Sequence, residues 1–216
     1  MLKYTSLFLF VFILLPNATT AQSTLDSIQF KKEFTSLSEA LKNPENVYRL
    51  NLSNQNVRFS DTIWSKFTNL KYLSLKNDHL RNIPAEIGNL KNLEVLDLSG
   101  NDFKVLPSTF TNLTSLKELF LNDDKNLQLE KNISLLSTLP SLKSLHIEND
   151  GLTSLPKDFY KLSHLESLYL NNNQFKQLPI ELEGLKNLHY LDFHDNKINL
   201  TPQYMQNHTF GFKIRF

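Results

Sequence analysis

Apolar and polar residues alternate in a fixed frame that recurs through most of the chain. The frame is L-x-x-L-x-L-x-x-N-x-L, and it returns every 23 residues with one interval of 26. Within each unit, the alternation at positions four to six predicts a short strand, with leucines inward and the intervening residues outward. Stacked units of this kind predict a solenoid with one parallel sheet. The units begin at Val47, Leu70, Leu93, Leu116, Leu142, Leu165 and Leu188.

A Leu-Pro or Ile-Pro pair marks the arm that returns from one strand to the next. Proline fixes its own φ and biases the preceding residue toward an extended conformation. We therefore expect turns or extended and 3-10 segments on this arm, not long helices. Because the strand side of each unit is shorter than the return side, the strands should line the concave face. The pairs are Ile83-Pro84, Leu106-Pro107, Leu155-Pro156 and Leu178-Pro179.

The repeats resemble those of the leucine-rich repeat family, over residues 47–199. The stretches IPAEIGNLKNLEVLDLSGN, from Ile83, and LPKDFYKLSHLESLYLNNN, from Leu155, are similar to the family's 23-residue, bacterial-type repeats. The resemblance implies an α/β solenoid in the form of a right-handed horseshoe. Its parallel β-sheet would lie on the concave face, with short turns or extended and 3-10 segments on the convex face.

The ninth position of each unit is polar, and the resemblance implies a structural role for it. In the family, an asparagine here lies inside the turn and bonds to the backbone of its own and neighbouring coils, which buried loop backbone requires. An ionised aspartate can accept from a backbone N–H but cannot donate, so the turns at Asp78 and Asp150 are expected to be weaker. We assign the structural ladder to Asn101, Asn173 and Asn196.

The fourth unit departs from the others. It is three residues longer and lacks the Leu-Pro pair on its return arm. Ile133, Leu136 and Leu139 recur there at helical spacing, which predicts a helical turn on the convex face.

Both ends of the repeat array carry predicted caps, since an open solenoid end would expose core residues. Ser36 and Glu39 have the spacing of a helix capping box, which predicts a helical cap over residues 22–46. Alternating apolar residues near the carboxyl end predict a half-buried strand that caps the last coil over residues 200–216. The seven repeats occupy the residues between these caps.

The amino terminus has the layout of a secretory signal peptide over residues 1–21. Lys3 precedes the apolar run Leu7–Leu15, and small residues lead to a cleavage site after Ala21. The run is too short to span a bilayer comfortably as a helix, so we expect no membrane insertion of the mature chain. The expected location is secreted, periplasmic or at the cell surface, with the mature protein starting at Gln22.

Composition narrows the class further. The 216-residue chain has no cysteine and a formal net charge of +1. The lack of cysteine removes disulfides and zinc–thiolate sites, and in an exported protein it favours a bacterial cell envelope. On that interpretation the N-x-S/T triplets, such as the one at Asn132, are not glycosylation sites. The near-neutral charge gives no indication of nucleic-acid binding.

The sequence contains no recognisable catalytic constellation. His146 and His194 both face the predicted concave side, but they lie two repeats apart, or about 10 Å at sheet spacing. His194 is close to Asp192 on the same strand. No serine-nucleophile, HExxH or phosphate-loop motif is present. We expect neither an enzyme nor a metal or cofactor site.

Outward positions of the strands carry a row of ring side chains. Three of them hold position five of adjacent units, and a ring strip with a polar surround is typical of an interface hot spot. The alternative is that the rings stack on one another and strengthen the sheet. The candidate partner-binding residues are Tyr72, Phe120, His146, Tyr169, Tyr190, Asp97 and Asp192.

Three functions remain open on this pattern. The first is an exported protein-binding module that uses its concave sheet. The second is a carbohydrate or peptidoglycan binder, because rings with aspartate and asparagine neighbours also suit sugars. The third and weaker one is a purely structural envelope protein.

Overall fold

The computed structural model describes residues 32–56, 62–198 and 211–216. The predicted signal peptide, residues 22–31 of the N-terminal cap and residues 199–210 lie outside the described residues. The compact unit Lys32–Phe216 contains one sheet, whose strands follow one another in chain order. They are β1 (Glu33–Phe34), β2 (Arg49–Asn51), β3 (Tyr72–Ser74), β4 (Val95–Asp97), β5 (Glu118–Phe120), β6 (Ser144–His146), β7 (Ser167–Tyr169), β8 (Tyr190–Asp192) and β9 (Lys213–Arg215).

The strands pair in parallel and keep every repeat in the same register. Leu73, for example, pairs with Leu50 on one side and with Leu96 on the other. These leucines and those two residues later are fully buried, and removing their apolar surface from water drives the stacking. The predicted fold class, a solenoid with a parallel sheet and strands that face inward at alternate residues, is confirmed.

Return arms with a Leu-Pro or Ile-Pro pair form a 3-10 helix directly after the proline. Pro107 has φ −67° and ψ 147°, so the chain is extended before the helix begins. Leu106 before it and Phe110 within the helix are buried. The four helices are Ala85–Asn89, Ser108–Asn112, Lys157–Lys161 and Ile180–Gly184.

The N-terminal cap contains the expected helix and also a strand. Helix α1 (Leu37–Ala40) begins at Ser36, whose side chain accepts from the Glu39 N–H. The Glu39 side chain instead pairs with Lys42 at 2.7 Å, so the reciprocal half of the capping box is not made. Strand β1 covers one edge of the sheet in parallel with β2, and β9 covers the other edge in parallel with β8.

The longer fourth unit forms helix α2 (Leu129–Leu136) on its return arm, where helical spacing predicted a turn. Asn132 on this helix is buried. It accepts from the Leu106 N–H at 2.8 Å and donates to the Lys104 carbonyl at 3.1 Å. The helix therefore satisfies the backbone of the preceding arm, and the buried Asn132 amide is not accessible for glycosylation.

Asn101 bonds to two coils at once. Its Oδ1 accepts from the Asp78 and Leu80 N–H groups, at 3.2 and 3.0 Å. Its Nδ2 donates to the Leu75 and Leu98 carbonyls, at 2.9 and 2.7 Å. This amide thus joins the turn of its own coil to that of the coil before it. Donation to the corresponding pair of carbonyls recurs at Asn173 and Asn196.

Two aspartates, Asp124 and Asp150, hold the same position without completing these bonds. Asp150 Oδ1 accepts from the Asp124 N–H at 2.7 Å. Its Oδ2 and both carboxylate oxygens of Asp124 are buried without a hydrogen-bond partner. Burial raises the pKa of each carboxyl to about 7. Asp78 is only partly satisfied, because its Oδ1 accepts from two backbone N–H groups while its Oδ2 is buried without a hydrogen-bond partner.

A second ladder runs along the return side of the coils. The side chains of Asn69, Asn92 and Asn187 each donate to a backbone carbonyl of the preceding coil at 2.8 Å. These bonds hold the return arms in register with one another, as the ninth-position amides do for the turns after the strands.

Candidate functional site

Strands β4 to β8 place five of the candidate residues in one row on the concave face. Asp97 pairs with Phe120, Phe120 with His146, His146 with Tyr169, and Tyr169 with Asp192. Each is the last residue of its strand, so the row follows from the register of the buried leucines. We call Phe120, His146 and Tyr169 the aromatic column.

The rings of the aromatic column stack face to face. The Phe120 and His146 centroids are 3.9 Å apart with planes at 21°, and those of His146 and Tyr169 are 4.0 Å apart at 7°. Tyr190 adjoins Tyr169 at 5.6 Å in a tilted arrangement, at 56°. The stacking alternative considered from the sequence is therefore present in the structure. The facing ring surfaces cover one another, so His146 is buried, at 7% exposed, and the solvent-accessible part of the column belongs mainly to the half-buried Phe120 and Tyr169.

His146 is held between two carboxylates as well as between two rings. Its Nε2 lies 3.0 Å from Glu118 Oε1, and its Nδ1 lies 3.3 Å from Glu148 Oε2. An ionised carboxylate can only accept, so bonds to two ionised carboxylates require a donor at both ring nitrogens, which the protonated form of the ring provides. Burial alone would lower the pKa of His146, but the bonds and charges of Glu118 and Glu148 outweigh it and raise the pKa.

Glu148 is in turn held by asparagines. Its backbone N–H donates to Asn122 Oδ1 at 3.0 Å. Burial would raise the pKa of the Glu148 carboxyl, but bonds from His146, Asn171 and Asn122 together with the histidine charge lower it. The stacking and these hydrogen bonds restrict the side chains of the column, so little conformational entropy remains to be lost when a partner binds.

Asp192, at the end of the row, is the centre of a second polar group. Its Oδ2 accepts from Arg215 at 3.2 Å and from the Tyr190 hydroxyl at 3.3 Å, and its Oδ1 bonds to His194 Nδ1. The contact between His194 and Asp192 that the sequence indicated is therefore made. His194 and His146 do not share a bonding partner among the described residues.

Tyr72 lies away from the aromatic column. It sits on β3, where the Arg49 guanidinium lies 4.1 Å above its ring. Arg49 also pairs with Glu33 at 2.8 Å. The structure brings Phe120, His146, Tyr169 and Tyr190 together in one group and leaves Tyr72 in a separate one.

The sequence reading did not assign Glu118 and Glu148 to the site. Both are visible at outward positions, since Glu118 shares a strand with Phe120 and Glu148 follows His146 by two residues. In the repeat frame, Glu118 holds position three of one unit, and His146 and Glu148 hold positions five and seven of the next unit. All three positions face outward, so the frame itself is the signal that could have identified the two glutamates.

One buried carboxylate, that of Glu94, is paired with two lysines. Glu94 is almost fully buried and pairs with Lys71 at 2.5 Å and with Lys117 at 2.8 Å, one on each neighbouring coil. Burial would raise the pKa of Glu94, but the two lysines together lower it. This group ties three coils together and leaves these two lysines committed to Glu94.

Neither a metal cluster nor a membrane-spanning helix is found in the part of the chain that the structure describes. No group of three or more histidine, aspartate or glutamate side chains there could hold a metal ion. Within the same residues, no helix has both the length and the apolar character needed to cross a membrane.

The stacked coils, the asparagine ladder and the open parallel sheet define a solenoid repeat protein. A family model described as a leucine-rich repeat region matches residues 45–147, and one described as leucine rich repeat matches residues 140–198. The chain belongs to the leucine-rich repeat family. No curated protein matches it by sequence.

Two solved structures share the fold. Toll from Drosophila, in its complex with Spatzle, is 20% identical over 75% of this chain and 22% of that chain, with a TM-score of 0.64. TLR13, in its complex with ssRNA13, is 28% identical over 80% of this chain and 24% of that chain, with a TM-score of 0.63. The chain therefore spans about a quarter of the length of these proteins.

Proposed function

We propose that this protein is an exported leucine-rich repeat module that binds a protein partner through its concave sheet. The observation that carries the proposal is the aromatic column, fixed between Glu118 and Glu148 on the solvent side of a rigid sheet. The core lies on the other side of the sheet, so burial of apolar surface in the core does not account for these rings. Rigid aromatic side chains with charged neighbours are the residues that dominate protein interfaces.

The geometry of the rings favours a protein over a carbohydrate. A sugar packs its C–H groups against open aromatic faces, whereas stacking covers both faces of His146 and one face each of Phe120 and Tyr169. The ring of Tyr72 is also covered, by Arg49. Ring edges and the carboxylates beside them suit the side chains of a protein. Carbohydrate binding stays as the alternative outcome of the test below.

Export of the protein is part of the same proposal and rests on the sequence of residues 1–21. A secreted, periplasmic or surface location would leave the concave sheet open to an envelope or external partner. The repeat units themselves are consistent with this, because nothing in their stacking depends on a thiol or a disulfide.

Site-specific photo-crosslinking in the native host tests the proposal. A benzophenone amino acid would replace Tyr190, on the concave face, or Tyr160, which is 49% exposed in the 3-10 helix Lys157–Lys161 of a return arm. Both variants replace a tyrosine, so they differ in the face of the solenoid that carries the probe and not in the type of residue lost. We expect a discrete protein adduct from position 190 and none of the same mass from position 160.

Two outcomes would count against the proposal. Adducts of the same protein from both positions, or from position 160 alone, would place the partner elsewhere on the solenoid. Binding of the purified protein to a glycan array, lost in Tyr169→Leu, with no protein adduct from position 190 would favour the carbohydrate alternative.

A further inference from the structure

The concave face contains two groups in which an aromatic ring, a carboxylate and an arginine meet. In the first, Arg49 lies over the Tyr72 ring at 4.1 Å and pairs with Glu33 at 2.8 Å. A guanidinium combines these contacts well, because its flat face stacks on a ring while its edge donates to a carboxylate. The arginine here comes from the chain itself.

The second group lies at the opposite end of the sheet. Arg215 on β9 donates to Asp192 at 3.2 Å, and the Tyr190 hydroxyl donates to the same carboxylate oxygen at 3.3 Å. The chain again supplies the arginine, in this case from its C-terminal cap strand.

A third pair of the same kind, Asp97 and Phe120, lies between these two groups. The two residues are register neighbours on β4 and β5. Asp97 accepts from the Ser99 N–H at 3.0 Å and from the Ser74 hydroxyl at 3.4 Å. It makes no ion pair with any residue that the structure describes. This carboxylate is partly exposed and so remains able to accept from a donor outside the chain.

The stacking of Phe120 is one-sided. One face of its ring lies against His146, while its register neighbour on the other side is Asp97, which carries no ring. The next residue in that row, Ser74, is small and buried. The side chains at positions 74 and 97 are both shorter than the Phe120 ring, and among the described residues only His146 stacks on that ring.

Two carboxylates, those of Asp97 and Glu118, adjoin Phe120, and because Glu118 already bonds to His146, Asp97 is the one left for an external cation. Glu118 lies on the same strand as Phe120, and Asp97 is close enough to Tyr72 to act on it. Burial first, and then the charges of Asp97 and Glu33, raise the pKa of Tyr72 to about 12. Lys71 and Lys117, on the two flanking coils, pair with Glu94, and no lysine that the structure describes forms an ion pair with Asp97.

We propose that the Asp97–Phe120 pair is a subsite for an arginine side chain of the protein partner. The guanidinium would lie above the shorter Asp97 side chain, over the part of the Phe120 ring that faces away from His146, and would donate to the Asp97 carboxylate. Arg49 makes the same two kinds of contact, although in its row it lies between Glu33 and Tyr72. This inference rests on the proposed function, and it narrows the partner to a protein that presents arginine on its contact surface. A lysine would fit less well, because an ammonium cannot stack and donate in one plane.

Titration with N-acetyl-arginine amide, followed by NMR of the isotope-labelled protein, tests the subsite without a partner. We expect saturable shifts confined to Asp97, Phe120 and their neighbours, and weaker shifts with N-acetyl-lysine amide. Asp97→Asn and Phe120→Leu should each weaken arginine binding by about tenfold. Asp158→Asn, which removes the same charge from an exposed return-arm residue, should leave it unchanged.

Shifts that do not saturate, or that persist unchanged in Asp97→Asn, would overturn the subsite. Thermal unfolding of each variant separates a lost contact from a lost fold. The affinity of the protein identified by cross-linking provides a second, independent test. If that partner binds Asp97→Asn at full strength but loses affinity for Tyr169→Leu, the arginine subsite is wrong while the proposed function stands. Arginine binding that depends on Asp97 supports the subsite even where no protein adduct forms at position 190.

Discussion

Asparagine in place of Asp150 should stabilise the fold at neutral and alkaline pH. Asp150 occupies a rung of the ladder that Asn173 fills correctly one coil later. By register, an amide at position 150 would donate to the Leu121 and Ile147 carbonyls, which the carboxylate cannot do. It would also remove a buried oxygen that now has no partner.

The raised pKa of Asp150 sets the size of the effect. Burial is the main cause of its change from 3.8 to about 7, which corresponds to about 4 kcal/mol for the ionised group. Asp150 is only partly buried, so solvent screening reduces the expected gain to about 2 kcal/mol. Because the folded pKa is raised, the contribution of this group to stability is complete below the unfolded pKa, near 4. It is lost as the pH rises through about 7.

Urea unfolding of wild type and Asp150→Asn measures this directly. We expect the variant to gain about 2 kcal/mol at pH about 8 and about a third of that at pH about 5. Asp158→Asn, at an exposed residue, should change stability by no more than about 0.5 kcal/mol at either pH. An equal gain at both pH values, or a loss at the higher one, would refute the assignment of a buried ionised carboxylate.

Three further outcomes are expected. Asn101→Ala should lower the free energy of unfolding by about 1–3 kcal/mol, because it leaves backbone groups of two coils without hydrogen-bond partners. Asn89→Ala, at an exposed residue, should not lower it. Equal denaturation midpoints for the two variants would contradict the ladder. Glu94→Gln should cost about 1–2 kcal/mol at neutral pH. Since the folded pKa of Glu94 is lowered, that difference is present above pH about 4.5 and should shrink in urea titrations below it. Mass spectrometry of protein from the native host should find Gln22 as the first residue, and an intact segment 1–21 would rule out the predicted cleavage.

The leucine frame was sufficient to predict the sheet, its register and the face on which each side chain lies. Leu96 is an example. It lies at the inward position of a strand whose side chains alternate, and a leucine recurs at that position 23 residues before and after it, so its direction could be predicted. The rows of the concave face follow at once, so the neighbours Phe120, His146 and Tyr169 could be assigned from the sequence. The proline pairs likewise predicted the 3-10 helices, since proline restricts the backbone locally.

Contacts that depend on side-chain conformation across strands could not be predicted in this way. The bonds of His146 to Glu118 and Glu148 require two particular rotamers on neighbouring coils, and a repeat alignment does not specify them. The sequence assigned no ladder role to Asp124, in the longer fourth unit, and its buried carboxylate is clear only in the structure. Asn132 was read as part of a chance glycosylation triplet, and its bonds to the preceding arm depend on the packing of α2.

The affinity of the cross-linked partner for Tyr169→Leu, compared with Tyr160→Leu, tests the proposed binding surface most directly. Both variants lose one tyrosine ring and keep an apolar side chain, but only the first alters the aromatic column. We expect Tyr169→Leu to weaken binding by at least about tenfold, with a cooperative unfolding transition retained, and Tyr160→Leu to bind as wild type does. Full affinity in a folded Tyr169→Leu protein would contradict the proposal that the concave column is the binding surface.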